Sequence, residues 1–166
     1  MREIYFIRHA KSSWSEPHLD DINRKLNNRG KRDAPFMADM TVLHGKKPDM
    51  LITSPARRAF DTANVFRKAH QLAKDNLKKD PRMYMASSNT ILEVVKELPV
   101  EFAVVYLFGH NPGMTTLANY FSKEYIDNVP TCGILKVKCD IGEWLDIHPS
   151  RCTVEAFWYP KMFSQS

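Results

Sequence analysis

Short apolar runs alternate with longer amphipathic stretches over the first two thirds of the chain, the pattern of strands laid down in turn with helices. Residues 2–7 read as a strand, and 10–26 as a polar loop carrying Pro17. A helix falls within 27–44, with Phe36, Met40 and Leu43 on one face. Pro35 leaves two starts open for it: a cap at Asp33, or an earlier start at Asn27 with a kink. Residues 49–53 form a strand and 56–74 a helix, in which Ala59, Ala63, Phe66 and Ala73 recur at helical spacing. Residues 82–86 make a weak strand, and 88–98 a helix turning Ile91, Val94, Val95 and Leu98 inward. The unbroken apolar run Phe102 to Phe108 reads as a strand buried on both faces, as in parallel sheets. The helix after it has Asn111 as cap, Pro112 in first position, and Met114, Leu117 and Phe121 inside.

The rhythm then changes. Residues 131–139 and 153–159 read as two strands around Gly142 and Pro149 with no helix between them, an antiparallel excursion. The expected fold is a three-layer α/β/α sandwich whose central sheet is mostly parallel, with an antiparallel C-terminal strand pair. At 166 residues, a single domain spanning 1–166 is the default.

The strand ends carry the chemistry. The first strand runs into Arg8-His9, the second into Ser54-Pro55-Ala56-Arg57-Arg58, and the 102–108 strand into Gly109-His110-Asn111-Pro112. In open α/β sheets ligands bind at the C-terminal strand edge. Three such ends, each with a cation or potential cation, point to an anion pocket. A phosphoryl group needs positive charge around its equatorial oxygens and a nucleophile in line with the leaving group. Arginine supplies the first with a planar fork, and a helix N-terminus adds free N–H groups. Arg58 falls in the first turn of one helix and His110 precedes another. His9 is the candidate nucleophile, through a covalent phosphohistidine that water then hydrolyses.

Other phosphate chemistries leave marks that this chain lacks. It has no P-loop, no cysteine followed six residues on by arginine, and no Asp-x-Asp pair. Its six histidines show no metal spacing, so neither metal nor cofactor is expected. The net charge of +5 would suit an anionic partner, yet 19 carboxylates lie among the basic residues, which argues mainly for solubility. The densest basic stretch, Arg24 to Arg32, reads first as a solvated loop and helix start, and no nucleic-acid module is recognisable. Three cysteines late in the chain make no disulfide framework and fit a reducing compartment. The longest apolar run is far short of a membrane span, and no secretory h-region opens the chain. A cytoplasmic protein without membrane or nucleic-acid partners is the expectation.

At this point the residues resemble a family. Arg8-His9-Ala10, Ser54-x-x-x-Arg58-Ala59-x-x-Thr62 and Gly109-His110-Asn111-Pro112-Gly113 are similar to the histidine phosphatase, or phosphoglycerate mutase-like, superfamily. Ala10 in place of the commoner glycine, the short chain, and Asp21-x-x-Arg24-x-Leu26-x-x-x-Gly30 resemble the SixA branch, named for a protein phosphohistidine phosphatase. The resemblance spans roughly residues 2–160. It implies His9 as phospho-accepting nucleophile with Arg8, Arg58 and His110 as the phosphate pocket, its spacing selecting Arg58 over Arg57. Arg24 reads evenly as a pocket-rim residue or a solvated loop cation. Lys11, Ser12 and Ser13 follow the nucleophile closely enough to lend donors, or form an ordinary loop.

One family feature is missing. Many members place a carboxylic acid between the third strand and the next helix, to protonate the leaving oxygen. Residues 84–90 hold none; Glu93 falls inside the predicted helix, and Glu16, Asp20 and Asp21 sit in the early loop. A positioned acid is typically worth about 10²–10⁴-fold, so alkoxides would leave poorly while a phosphorylated imidazole would not. A phosphohistidine in a protein is therefore the favoured substrate. A small phosphomonoester in the same pocket and a non-catalytic phosphate-recognition module are the rival readings. No insertion is long enough to cap the site, which leaves it open to a phosphorylated protein or a small phosphorylated substrate.

Overall fold

Alternation along the strands sorts their side chains into two cores. The computed structural model describes residues 1–164. Its strands are β1 (Arg2–Arg8), β2 (Met50–Thr53), β3 (Leu77–Lys79), β4 (Val104–Gly109), β5 (Ile134–Cys139) and β6 (Cys152–Trp158). Its helices are α1 (Asn28–His44), α2 (Arg57–Ala69), α3 (Ser88–Lys96), α4 (Gly113–Phe121) and the short α5 (Pro160–Phe163). Ile4 and Phe6 of β1, Val105 and Leu107 of β4, and Leu135 and Val137 of β5 face one side of the sheet. There they meet Ile91, Val94 and Val95 of α3 and Met114, Leu117 and Phe121 of α4. Tyr5 and Ile7, Tyr106 and Phe108, and Leu51 of β2 face the other side, against Ala34, Met37 and Ala38 of α1 and Ala63 and Phe66 of α2. This is the three-layer α/β/α arrangement.

The sheet order is β3-β2-β4-β1-β5-β6. The first four run parallel; β5 is antiparallel to β1, and β6 to β5. Placing β1, β4 and β2 side by side brings their C-terminal ends into one row. The ladder continues past those ends, with His9 N donating to Gly109 O (3.1 Å) and Ser54 N to Phe108 O (3.0 Å). Ser54, His9 and His110 are levelled in this way before any side chain makes contact.

Several elements depart from the sequence reading. Helix α1 takes the earlier start, with Asn27 capping Gly30 N, and carries Pro35 inside it. Its buried positions are Gly30, Ala34, Met37, Ala38 and Thr41, whereas Phe36 and Leu43 are exposed and Met40 half-buried. Small side chains let α1 lie close to α2 and the sheet, and this outweighs the greater hydrophobicity of the predicted face. Phe36 instead packs on Phe163 of α5. Helix α2 ends at Ala69, leaving Ala73 outside it. The third strand is β3, and the predicted strand at 82–86 is not formed. There Met83 and Ala86 are drawn into the core while the lysine-bearing β3 takes the edge, a position that suits charge. Helix α4 starts one residue late: Pro112 is its N-cap after a cis Asn111–Pro112 bond, and Asn111 Oδ1 accepts from Thr115 N (3.2 Å).

Among the described residues no helix is long and apolar enough to cross a membrane. Helix α1 presses on the segment after His9 at Gly30, where a Cβ would overlap the Lys11 carbonyl oxygen; at Gly142 it would meet nothing within 4 Å. We predict that Gly30→Ala lowers the free energy of unfolding by about 1–3 kcal/mol. Gly142→Ala should change it by less than about 0.5 kcal/mol. Urea unfolding of both variants checks the pair.

Candidate active site

His9, 7% exposed, follows β1, and its Nδ1 lies 2.7 Å from Ala10 O. A carbonyl oxygen only accepts, so Nδ1 carries the proton and the Nε2 lone pair is free. Ala10 N donates to Thr62 Oγ1 (3.0 Å), and Thr62 donates in turn to Arg58 O (2.7 Å), pinning α2 to the end of β1. The His110 ring lies 5.2 Å from that of His9 between centroids. Its Nε2 is 2.8 Å from Ser54 Oγ, and its Nδ1 is 3.4 Å from Arg58 Nη2. Ser54 Oγ also accepts from Ala56 N (3.1 Å) at the entry to α2.

Arg58 is 2% exposed, and one residue grips the end of its fork. Nη1 donates to Asp21 O (2.7 Å) and Nη2 to Asp21 Oδ2 (3.0 Å). Its Nε is buried without a partner. Arg8 shows the same feature: Nη1 donates to Val129 O (3.0 Å) while the buried Nε has no partner. Burial also lowers the pKa of Arg8 from its ordinary value.

Arg24 is buried rather than solvated. It donates to Ser12 Oγ (2.7 Å), Ser13 O (3.3 Å) and Asp21 Oδ1 (3.1 Å), and its guanidinium lies 3.5 Å over the exposed Trp14 ring. Ser12 is thus joined to the site through Arg24, and Trp14 covers Arg24 rather than packing in the core. Lys11 is exposed; its carbonyl accepts from Asn27 N (3.0 Å). Two residues beyond the predicted set complete the network. Asp21, one of three loop carboxylates left open by the sequence, binds Arg58 and Arg24. Tyr84 donates to Asp21 Oδ2 (2.5 Å) and stands edge-on to His110 at 5.6 Å. No periodicity marks Tyr84; it lies in the stretch misread as a strand. Glu93 is exposed, and Glu16 pairs with Lys25 (3.6 Å) away from Arg58.

The electrostatics follow from burial among cations. His9 is lowered to about 3, by burial first and then by His110, Arg58 and Arg8, against the raising effect of the Ala10 carbonyl. His110 is lowered to about 4, by burial and then Arg58, with Asp21 opposing. Both imidazoles are neutral at neutral pH. Asp21 is lowered to about 2: burial would raise it, but hydrogen bonds from Tyr84, Arg58 and Arg24 outweigh that. It is therefore a fixed anion and holds no proton to give. Among the described residues no group of three or more His, Cys, Asp or Glu comes together as a metal cluster. A groove of about 1180 Å³ lies elsewhere, lined by Phe121, Tyr125, Val154 and Phe157 among others.

The family model of the histidine phosphatase superfamily (branch 1) matches residues 4–83, which include Arg8, His9 and Arg58. A crystal structure assigned as phosphohistidine phosphatase SixA from Agrobacterium tumefaciens superposes with a TM-score of 0.80 at 27% identity, covering 96% of this chain and 98% of that one. Over residues 4–83 this chain matches the histidine phosphatase superfamily, and its fold is that of the SixA structure. The fold is shared by a protein histidine phosphatase SixA complexed with tungstate, with a TM-score of 0.80, 17% identity, and 98% and 99% of the two chains covered. An uncharacterised protein of Mycobacterium tuberculosis is 24% identical over 165 residues, covering 93% of this chain and all of its own length.

Both site histidines titrate below the ordinary 6.5, so between that value and about 4 the unfolded chain takes protons that the native site refuses. Native stability is then full at neutral pH and falls as pH drops through that window. We predict a loss on the order of 2 kcal/mol per histidine by about pH 5. Urea midpoints should show a flatter profile for His9→Gln/His110→Gln than for the unaltered protein. His70, also lowered by burial, contributes equally to both. Identical slopes would contradict neutral burial.

Proposed function

We propose that this chain is a metal-independent phosphatase that carries a phosphoryl group on His9 and acts on phosphohistidine in proteins. The observation that carries the reading is a pair of buried guanidinium Nε donors, on Arg8 and Arg58, left unpaired beside the available Nε2 of His9. Buried donors without partners are costly, and a tetrahedral oxyanion would satisfy both at once. The tungstate bound by a structure of the same fold is an anion of that shape.

In this reading the anion takes Nε–H of Arg8 and the Nε/Nη2 edge of Arg58, whose end remains on Asp21. Ser54 donates its hydroxyl proton to His110 Nε2, which frees Nδ1–H of His110 for a phosphoryl oxygen. His9 Nε2 attacks phosphorus in line, the P–Nε2 bond forms, and the bond to the leaving group breaks. Water then attacks the phosphohistidine, giving orthophosphate and neutral His9. The positive pocket stabilises charge that grows on the equatorial oxygens in each step.

The leaving group decides the substrate class. Asp21 is ionised and Tyr84, its pKa raised by the bond to Asp21, keeps its proton on that carboxylate, so neither readily protonates an alkoxide. A phosphorylated imidazole protonated on its other ring nitrogen departs as neutral imidazole without that help. Asp21, Met85 and Trp14 at the rim are exposed, which admits a side chain presented by a folded protein.

We predict that His9→Ala abolishes both turnover and trapping of radiolabelled phosphate on the enzyme. Arg58→Ala should lower kcat/KM by about 10²–10³-fold. The unaltered enzyme should release phosphate from a phosphohistidine protein at least about 10²-fold faster than from alkyl phosphates. Preference for a phosphorylated metabolite would instead support the phosphomonoesterase, and stoichiometric phosphopeptide binding without phosphate release a recognition module. Unchanged turnover in His9→Ala would end the proposal.

A further inference from the structure

Cys139 and Cys152 lie away from the site, at the end of β5 that pairs with Arg2 rather than with Ile7. They are partners in the β5–β6 register, both are free thiols, and their sulfurs are 3.0 Å apart. The adjoining pair makes the ladder hydrogen bond, Asp140 N donating to Arg151 O at 2.8 Å. The two cysteines therefore occupy a non-hydrogen-bonded position, where opposed Cα atoms approach to about 4.5 Å. A disulfide spans Cα separations of about 4.4–6.8 Å, so closing one asks for no backbone movement.

Their surroundings differ. Cys139 is fully buried, whereas Cys152 is half-buried and lines the groove beside Pro149, Ser150 and Thr153. The hydrogen bond with Cys152, and then burial, raise the Cys139 thiol, which keeps its proton. Cys152 is lowered by the hydrogen bond it shares with Cys139, then by the His148 backbone and Arg151, against burial. Cys132, the third thiol, is buried at the other end of the hairpin, where its N–H meets His9 O.

We propose that Cys139 and Cys152 form a peroxide-sensitive oxidation site that closes reversibly into a cross-strand disulfide. The Cys152 thiolate attacks one oxygen of hydrogen peroxide; the O–O bond breaks, and hydroxide leaves and takes up the proton that Cys152 released. Sulfur is now a sulfenic acid. The Cys139 sulfur attacks it, the S–O bond breaks, and the departing hydroxyl leaves with the Cys139 proton as a second water. The two sulfurs lose two electrons and the peroxide gains them. The product ties β6, the outer strand of the sheet, to β5 at its first residue and closes the 140–151 loop.

Peroxide treatment of the folded full chain, followed by intact mass and peptide mapping, tests this. The expected result is a loss of about 2 Da, a cross-linked pair of peptides containing Cys139 and Cys152, and recovery of the original mass with dithiothreitol. The Tm of the oxidised form should exceed that of the reduced form by about 5–10 °C. Cys132→Ser should keep the loss, and Cys139→Ser should replace it with a gain of oxygen on Cys152. Peptide mapping of the unaltered protein decides the matter even where a variant folds poorly. Oxygen gain on Cys152 without a cross-link, or a cross-link through Cys132, would overturn the proposal. Neither result bears on the role of His9.

Discussion

Asp21 holds a guanidinium that the fold has taken almost wholly out of water, and the rest of the site rests on that grip. Arg58 is 2% exposed and stands among Arg8, Arg24 and two imidazoles. A buried cation in such company is strongly unfavourable unless its donors are met and a counter-charge is near. Residue 21 supplies both, its carbonyl and its carboxylate closing on the end of the fork. The same carboxylate takes Arg24 and Tyr84, so one anion organises side chains from the early loop, α2 and the segment before α3.

Neutral imidazoles are the consequence. With cations fixed around them and little water, neither His9 nor His110 can take up a proton near neutral pH. What weakens the native state in mild acid is what keeps a lone pair available on His9. The Ala10 carbonyl then selects which nitrogen holds it, at 2.7 Å from Nδ1. In the proposed mechanism stability and reactivity share one electrostatic arrangement, as is common where titratable groups are buried for chemistry. The loop anion, held ionised, also offers no proton to a leaving group, which in the proposed mechanism disfavours an alkoxide.

Strand β5 joins two unrelated chemistries. At its start, Gly133 O accepts from Arg8 N (3.0 Å) and Cys132 N donates to His9 O (2.9 Å), so the antiparallel excursion helps fix the backbone of Arg8 and His9. At its end, the thiol pair sits a full strand length away. The length of β5 separates the two.

The amino-acid order by itself determined the layered fold and the three strand ends. Period-two and period-3.6 burial is written locally, and Arg8, His9, Arg58 and His110 follow directly from where the apolar runs stop. It also carried the motif spacing that separates Arg58 from Arg57. Tertiary packing decided the rest. The inner face of α1 went to Gly30, Ala34, Met37 and Ala38, whose mostly small side chains let it lie close to α2 and the sheet, while Phe36 and Leu43 stayed exposed, a property of the assembled layers that no helical wheel contains. β3 took the charged edge because Met83 and Ala86 were needed in the core. Asp21, Arg24 and Tyr84 were brought together by a loop without periodicity, whose path is set by contacts between residues distant in the chain. Local pattern fixes which residues stand at a strand end; only long-range packing fixes which charges meet there.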